Sequence, residues 1–184
     1  MDIRQDEITT LHELCVNKKK LLKSVSDVRN ERPASIIMPM LYREIKSDAL
    51  ANIVNGLNKC NYLKEVVIPL AADNQKEFIQ VKRFFNKLEV PHLIMWCNGP
   101  RVEKILNELK GEGINLLKYR GKGRDVWLAM GIASIKAYAI GLHDADVLHY
   151  DEMIPTKLIY PIVEPELDFK FNKGYYARVN LEKR

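Results

Sequence analysis

The feature that most constrains the fold is an alternation of short apolar runs with longer amphipathic stretches. The nearly continuous apolar runs lie at 34–40, 65–70, 91–97, 114–119 and 137–143. The helical patterns between them lie at about 46–59, 74–89, 100–110 and 122–138. Strands that are apolar on both faces and alternate with helices are typical of a parallel sheet buried between helical layers. The sequence therefore predicts a single α/β domain, with a strand in each of the apolar runs.

The N-terminal segment has a different pattern. From about Asp6 to Val28, apolar residues recur at spacings of three and four, which predicts a helix that ends at Arg32-Pro33. We therefore expect residues 1–31 to form a helical segment and residues 32–184 to form the α/β domain.

Composition limits the location and the partners of the chain. No apolar stretch approaches the roughly 18 residues that a membrane span needs, and the polar N-terminus does not resemble a signal peptide. The three cysteines are far apart and form no metal-binding pattern. These features predict a soluble cytoplasmic protein with no membrane span.

The formal net charge of +5 has two interpretations. A basic surface attracts either nucleic acid or small anionic substrates. The densest basic run, at 18–20, contains no interleaved aromatic residue, and we interpret it as a solvated helix face. Small anionic partners are therefore expected, and nucleic acid is not.

Polar residues follow each predicted strand. In parallel sheets, ligands bind beyond the carboxyl ends of the strands, so these segments are candidates for a binding site. Asp73 and Asn98 are two of the polar residues at strand ends, and both also fit the role of a helix cap.

Two aspartates, Asp144 and Asp146, follow the last apolar run. Alternation along an extended segment places them on the same side, with Ala145 turned away. Two such carboxylates repel each other unless a cation lies between them, and Mg²⁺ or Mn²⁺ is typically held by one or two carboxylates plus substrate phosphates. The alternative is a pair in water that caps the next helix.

A glycine-rich basic segment, Gly121-Lys122-Gly123-Arg124, opens the helical pattern at 122–138. Glycines let the backbone approach a ligand, and a helix N-terminus favours anions. The other positions of a P-loop are absent, so a P-loop NTPase is not expected. A plain surface turn remains the alternative. In that helix, Val126, Met130, Ala133 and Ala137 share one predicted face.

These motifs together resemble the nucleotide-sugar-dependent glycosyltransferases of GT-A fold, and among them the glucosyl-3-phosphoglycerate synthase family. The stretches that carry the resemblance are PASIIMPMLYREI, VPHLIMWCNGPRV, YRGKGRDVWLAMG, LHDADV and DFKFNKGYYARV. The resemblance covers residues from about Arg32 to Val179. It implies a metal-dependent, retaining transfer of a hexose, expected to be glucose, from a nucleotide sugar to a small phosphorylated acceptor such as 3-phosphoglycerate.

The resemblance also implies roles for particular residues. Asp144 and Asp146 correspond to the catalytic aspartate pair, with Asp146 as the metal ligand. Residues implied in donor binding are Pro39, Met40, Leu41, Tyr42, Glu44, Asp73, Gly121, Lys122, Asp144 and Ala145. Residues implied in acceptor binding are Lys173, Tyr175 and Arg178.

Members of the family continue beyond the KGYYARV segment into acceptor-binding loops and helices, whereas this sequence stops at Arg184. We therefore expect a donor-binding portion with an incomplete acceptor site, low activity of the chain by itself, and self-association through uncovered apolar surface. A nucleotide-sugar-binding module without catalysis is the alternative function.

Overall fold

The computed structural model describes residues 17–174. The strands are β1 (Ala34–Ile37), β2 (Met40–Leu41), β3 (Leu63–Ala71), β4 (His92–Trp96) and β5 (Ala139–Leu142). The α-helices are α1 (Lys18–Asp27), α2 (Asp48–Leu57), α3 (Gln75–Phe85), α4 (Pro100–Gly111), α5 (Lys122–Ala133) and α6 (Met153–Val163). A short 3-10 helix spans Tyr42–Lys46.

All strand pairs of the sheet are parallel. β3 is central, with β4 on one side and both β1 and β2 on the other, and β5 lies beyond β1. Ile37 is opposite Val67 and Met40 is opposite Leu70, so β1 and β2 continue in the same register along β3. They are two parts of one strand, interrupted at Pro39, which has no N–H to donate.

The sheet is buried on both faces, as the continuous apolar runs predict. Ile36, Val66 and Ile68 pack in a large core with residues of α1, α2, α3 and α6. Ile37 and Val67 point to the other face, where Ala129 of α5 packs against them. The predicted fold, a parallel sheet between helical layers with a helix before it, is confirmed.

The N-terminal helix packs on the same side of the sheet as α6. Leu21 and Val25 are its buried residues, and α1 lies against α6. The part of the predicted helix before residue 17 lies outside the described residues. Among residues 17–174, no helix is both long and apolar enough to cross a lipid bilayer.

The strand predicted at 114–119 is wrong. These residues form a loop and a turn between α4 and α5, and Ile114 is 48% exposed. The run is apolar, but it contains Lys118 and precedes the basic glycine segment, and no neighbouring strand edge receives it. In this run the apolar pattern predicted neither burial nor pairing correctly, because both depend on a partner that is distant in sequence.

The face assigned to α5 is correct for Ala133 and wrong for Met130. Its buried residues are Asp125, Ala129 and Ala133, whereas Met130 is 40% exposed. The helix is apolar around most of its circumference, so its sequence has little periodicity to select the buried side. Small residues face the sheet because they let the helix approach closely.

Candidate functional site at the carboxyl edge of the sheet

Three segments meet at the carboxyl edge of the sheet. The 3-10 helix after β2 carries Glu44, the segment after β5 carries Asp144 and Asp146, and the start of α5 carries Lys122. Because all the strands are parallel, their carboxyl ends lie at one edge, and side chains that are up to 102 residues apart, from Glu44 to Asp146, become neighbours.

The aspartate pair faces solvent. Asp144 and Asp146 are both exposed, whereas Ala145 between them is 1% exposed and packs in the core. The pair does not cap the following helix, because α6 begins at Met153 and the backbone N–H of Met153 donates to Asp151 at 2.9 Å. The carboxylates are therefore held apart from the core and free of a capping role.

Gly141 lets β5 lie close to its neighbours just before the pair. A Cβ atom at this position would approach Ile36 Cδ1 to 2.7 Å. The glycine thus allows tight packing of the strand that presents the aspartates.

Lys122 is the cation nearest the pair. Its Nζ donates to Asp144 Oδ1 in a direct ion pair, in which the two side chains are 59% and 52% exposed. Gly121 precedes it with φ of +114°, a backbone conformation that favours glycine. The positive φ turns the chain so that α5 starts with its lysine at the carboxyl edge.

Glu44 adds a third carboxylate. Its Oε2 accepts a hydrogen bond of 2.8 Å from the backbone N–H of Leu41, which fixes the side chain. Partial burial raises the pKa of Glu44 above its usual value, and the negative charges of Asp146 and Asp144 raise it further. Glu44 therefore interacts electrostatically with both aspartates at this edge.

His143 supports the aspartate pair from below. It is 8% exposed, its Nδ1 is 3.0 Å from the carbonyl oxygen of Asp144, and its Nε2 is 2.9 Å from the hydroxyl of Tyr150. Burial lowers the pKa of His143, so the ring is neutral at pH 7. A neutral ring with one N–H can serve both contacts, and it orients the backbone at Asp144.

Asn98 and Trp96 join the ends of β3 and β4. Asn98 does not cap α4. Its Oδ1 accepts from the Ala72 N–H at 3.1 Å, and its Nδ2 donates to the Ala72 carbonyl at 2.8 Å. Trp96 Nε1 donates to the same carbonyl at 2.8 Å. The N-cap of α4 is Gly99, followed by Pro100.

Asp73 is not a helix cap either. The cap of α3 is Asn74, whose side chain accepts from the Glu77 N–H at 3.1 Å. Glu77 in turn accepts from the Asp73 N–H at 2.7 Å. The two hydrogen bonds tie Asn74 and the residue before it to the first turn of α3, and they leave the exposed Asp73 carboxylate outside the cap.

The first loop of the predicted donor site is partly buried. Pro39 and Met40 are buried, so their side chains contribute to the core. Leu41 is 42% exposed, and the Tyr42 hydroxyl donates to Gln80 of α3. The side chains of this segment that remain available to a ligand at the edge are therefore those of Leu41, Arg43 and Glu44.

Of the residues predicted to bind the acceptor, only Lys173 lies within the described part of the chain. It is exposed, and its neighbour Asn172 donates to the carbonyls of Lys157 and Leu158, which places the segment beside the middle of α6. Tyr175 and Arg178 lie outside the described residues.

A cleft that the sequence did not predict lies behind the glycine segment. It has a volume of about 590 Å³, and its lining residues are Leu116, Lys118, Tyr119, Arg120, Gly123, Arg124 and Trp127. Trp127 is 57% exposed and Tyr119 is 56% exposed. The sequence shows aromatic and basic residues close together before and within α5. The strand predicted at 114–119 would have placed some of them in the sheet, so the cleft was not predicted.

The edge suits a metal ion that is shared with a phosphate group. Among residues 17–174, no cluster of three or more His, Cys, Asp and Glu side chains is arranged to hold a metal by itself. However, Asp144 and Asp146 are both exposed, and the charges of both act on Glu44. Mg²⁺ takes oxygen ligands and is usually bound by one or two carboxylates together with substrate phosphates. The donor set fits such a cation.

A parallel sheet between helices, with an Asp-x-Asp segment at its carboxyl edge, is consistent with the GT-A class of nucleotide-sugar glycosyltransferases. The chain is 48% identical over 182 residues to a glucosyl-3-phosphoglycerate synthase of Methanococcoides burtonii, in an alignment that covers 99% of this chain and 45% of that protein. The chain is therefore homologous to the glucosyl-3-phosphoglycerate synthases, which confirms the resemblance inferred from the motifs.

A second relative carries the same name. The glucosyl-3-phosphoglycerate synthase of Persephonella marina is 38% identical over 146 residues, which are 78% of this chain and 36% of that protein. No protein-family profile matches the chain. The chain thus spans less than half the length of both curated relatives.

Proposed function

We propose that this chain contains the nucleotide-sugar-binding part of a metal-dependent, retaining glycosyltransferase that transfers glucose to 3-phosphoglycerate or another small phosphorylated acceptor. The observation that carries the proposal is the exposed pair of Asp144 and Asp146 beside Lys122 and Glu44. This arrangement occurs in a chain that is 48% identical to a protein named glucosyl-3-phosphoglycerate synthase.

The charge balance at the edge supports a requirement for a cation. Glu44, Asp144 and Asp146 supply three carboxylates, and Lys122 and Arg43 supply two positive charges. A nucleoside diphosphate is itself strongly anionic and would be repelled by the surplus negative charge. A divalent cation bound at Asp146 would reverse this balance and would supply Lewis-acid stabilisation of the departing diphosphate.

The residues of the chain would then bind and orient the donor. Lys122 is positioned at a helix N-terminus to donate to a phosphate oxygen, and the exposed Asp144 can accept hydrogen bonds from hydroxyl groups of the donor. His143 holds the backbone at Asp144 in place. Among the residues at this edge, no serine or cysteine stands beside a base as an activated nucleophile. We therefore propose departure of the diphosphate and attack by the acceptor on the same face of the sugar.

Binding and transfer should be measured separately. Calorimetry with UDP-glucose and GDP-glucose, with Mn²⁺ or with excess EDTA, tests donor binding and its metal requirement. Formation of glucosyl-3-phosphoglycerate from the bound donor tests transfer. Metal-dependent binding without product would favour the alternative, a nucleotide-sugar-binding module, and equal binding in EDTA would contradict the role of the metal.

We also propose that the chain self-associates through the outer face of α5. Trp127 is 57% exposed, Met130 is 40% exposed and Ile135, just beyond the helix, is 79% exposed. Exposed apolar groups of this size are typical of interaction surfaces. Trp127→Gln should reduce the mass measured by light scattering, whereas Ile79→Gln on α3 should not. A monomer at all concentrations would contradict this proposal.

The buried, unpaired thiols of Cys60 and Cys97 support a reducing, cytoplasmic location. Burial raises the pKa of the Cys97 thiol to about 12, so it is unreactive at neutral pH.

A further inference from the structure

The contact between Lys122 and Asp144 has a consequence for the order in which ligands bind. Lys122 Nζ forms an ion pair with Asp144 Oδ1, whereas Asp146 makes no hydrogen bond or ion pair with any described residue. One carboxylate of the pair is thus neutralised by the protein itself, and the other is not.

The ion pair is not needed to hold α5 in place. The first turn of this helix is fixed by Arg124, whose side chain is 8% exposed. Its guanidinium donates to Asp125 at 2.8 and 2.9 Å and to the Cys97 carbonyl at 3.2 Å, which ties the helix to the end of β4. Lys122 is mostly exposed by comparison, so its position on Asp144 reflects local electrostatics rather than a demand of the fold.

Resting on the proposed function, we propose that Lys122 takes the place of a cation at Asp144 until the donor arrives and then moves to the diphosphate, so that the divalent cation and the nucleoside diphosphate bind cooperatively. The Lys122 ammonium group and a metal ion both seek the oxygen atoms of the aspartate pair. A metal ion by itself therefore has to compete with the lysine.

Binding of the metal ion favours binding of the diphosphate, and binding of the diphosphate favours binding of the metal ion. Without a metal ion, a diphosphate that draws Lys122 away leaves Asp144 uncompensated next to Asp146 and Glu44. Without a diphosphate, a metal ion that displaces Lys122 leaves an ammonium group with no counter-charge. When both bind, the lysine pairs with phosphate and the metal with carboxylate. The coupling is reciprocal, because linkage requires each ligand to raise the affinity of the other by the same factor.

The coupling gives Lys122→Ala two effects of opposite sign. The affinity for Mn²⁺ alone should rise about two- to fivefold, the range expected when an exposed ion pair no longer competes. The affinity for UDP or GDP in saturating Mn²⁺ should fall about tenfold, because a charge-assisted hydrogen bond to phosphate is lost. If Lys122 only supported the fold, its removal would not raise the affinity for the metal.

The experiment is a set of titrations of the full chain. Mn²⁺ binding is followed by the loss of the free-ion EPR signal, with and without UDP or GDP, and nucleotide binding by calorimetry. Lys104→Ala is the matched control, because it removes the same charge from the exposed side of α4. Wild-type protein and the control should bind Mn²⁺ weakly without nucleotide and more tightly with it. In Lys122→Ala, the affinities for Mn²⁺ with and without nucleotide should differ less.

The outcomes separate the two proposals. If Lys122→Ala leaves the affinity for Mn²⁺ alone unchanged or lowers it, while wild-type protein binds nucleotide with Mn²⁺, the inference about Lys122 is overturned and the proposed function stands. If wild-type protein binds neither UDP nor GDP in the presence of Mn²⁺, both are overturned.

Discussion

The carboxylates at the two edges of the sheet have different surroundings. At the amino edge, Asp168 accepts from Lys170 at 2.6 Å, from Arg32 at 2.8 Å and from Tyr138 at 3.1 Å. These partners, Lys170 first, lower the pKa of Asp168 to about 2. At the carboxyl edge, the three carboxylates share Lys122 and Arg43, and burial together with the charges of Asp146 and Asp144 raises the pKa of Glu44 instead.

The difference separates structural charge from charge that is available to a ligand. Arg32 lies two residues before β1 and Tyr138 lies directly before β5, so the Asp168 cluster connects the starts of two strands with the segment after α6. A carboxylate surrounded by donors is satisfied without a ligand. Carboxylates that share too little positive charge are stabilised when a cation binds, which is the arrangement expected of a binding site.

The largest effect should come from removing the carboxylate proposed to hold the metal. Loss of partners outside the ligand shell of a metal site typically costs about ten- to a hundredfold in affinity. We expect Asp146→Ala, a change in the ligand itself, to weaken donor binding in Mn²⁺ by about a hundredfold. The melting temperature should change little, since the side chain is exposed. Calorimetry measures the first effect, and Asp27→Ala is a control for the loss of one carboxylate. Unchanged donor binding in Asp146→Ala would contradict the role of the carboxyl edge in binding the donor.

A smaller effect should come from the buried support of the pair. His143→Gln replaces a ring that has partners on both nitrogens, and we expect a loss of about 1–3 kcal/mol in the free energy of unfolding at pH 7. The folded pKa of His143 lies below its usual value of 6.5. The unfolded chain therefore binds more protons as the pH falls below 6.5, and the wild-type protein loses stability in that range.

The glutamine variant lacks this titration, so its stability should change less between pH 7.5 and pH 5.5. Urea unfolding at the two pH values measures both slopes. Tyr160→Phe, a change on the partly exposed side of α6, serves as a control that should retain the wild-type slope. Identical slopes in wild-type protein and His143→Gln would show that His143 is not held neutral by burial.

The smallest effect should come from the amino edge. Asp168→Asn should lower the melting temperature at pH 7 by about 1–3 °C, because exposed ion pairs contribute little. The folded pKa of Asp168 is about 2, below its usual value of 3.8. Its stabilisation is therefore complete above about pH 4 and is lost as the pH falls towards 2. Calorimetric melting at pH 7 and pH 2 should show the difference only at pH 7, and donor binding should be unchanged. Weakened donor binding would mean that the two edges are coupled.

Local pattern alone determined much of this protein. The continuous apolar runs at β1, β3, β4 and β5 predicted strands buried on both faces, and the amphipathic stretches between them predicted the helices α2 to α5. Alternation around Ala145 predicted the exposure of Asp144 and Asp146 and the burial of Ala145, although Ala145 and Asp146 lie in a turn after β5 and not in an extended segment. The motif order further indicated the relation to glucosyl-3-phosphoglycerate synthases.

Only the tertiary structure decided which partners these residues have. The run at 114–119 has no strand because no sheet edge receives it, and α5 buries Ala129 rather than Met130 because its sequence is apolar on several sides. Asn98 bonds to Ala72 across the ends of two strands, a contact that no local capping rule contains. The ion pair of Lys122 with Asp144 spans 22 residues. Such pairings depend on how the parallel strands bring distant loops to one edge, and short-range sequence patterns do not encode that geometry.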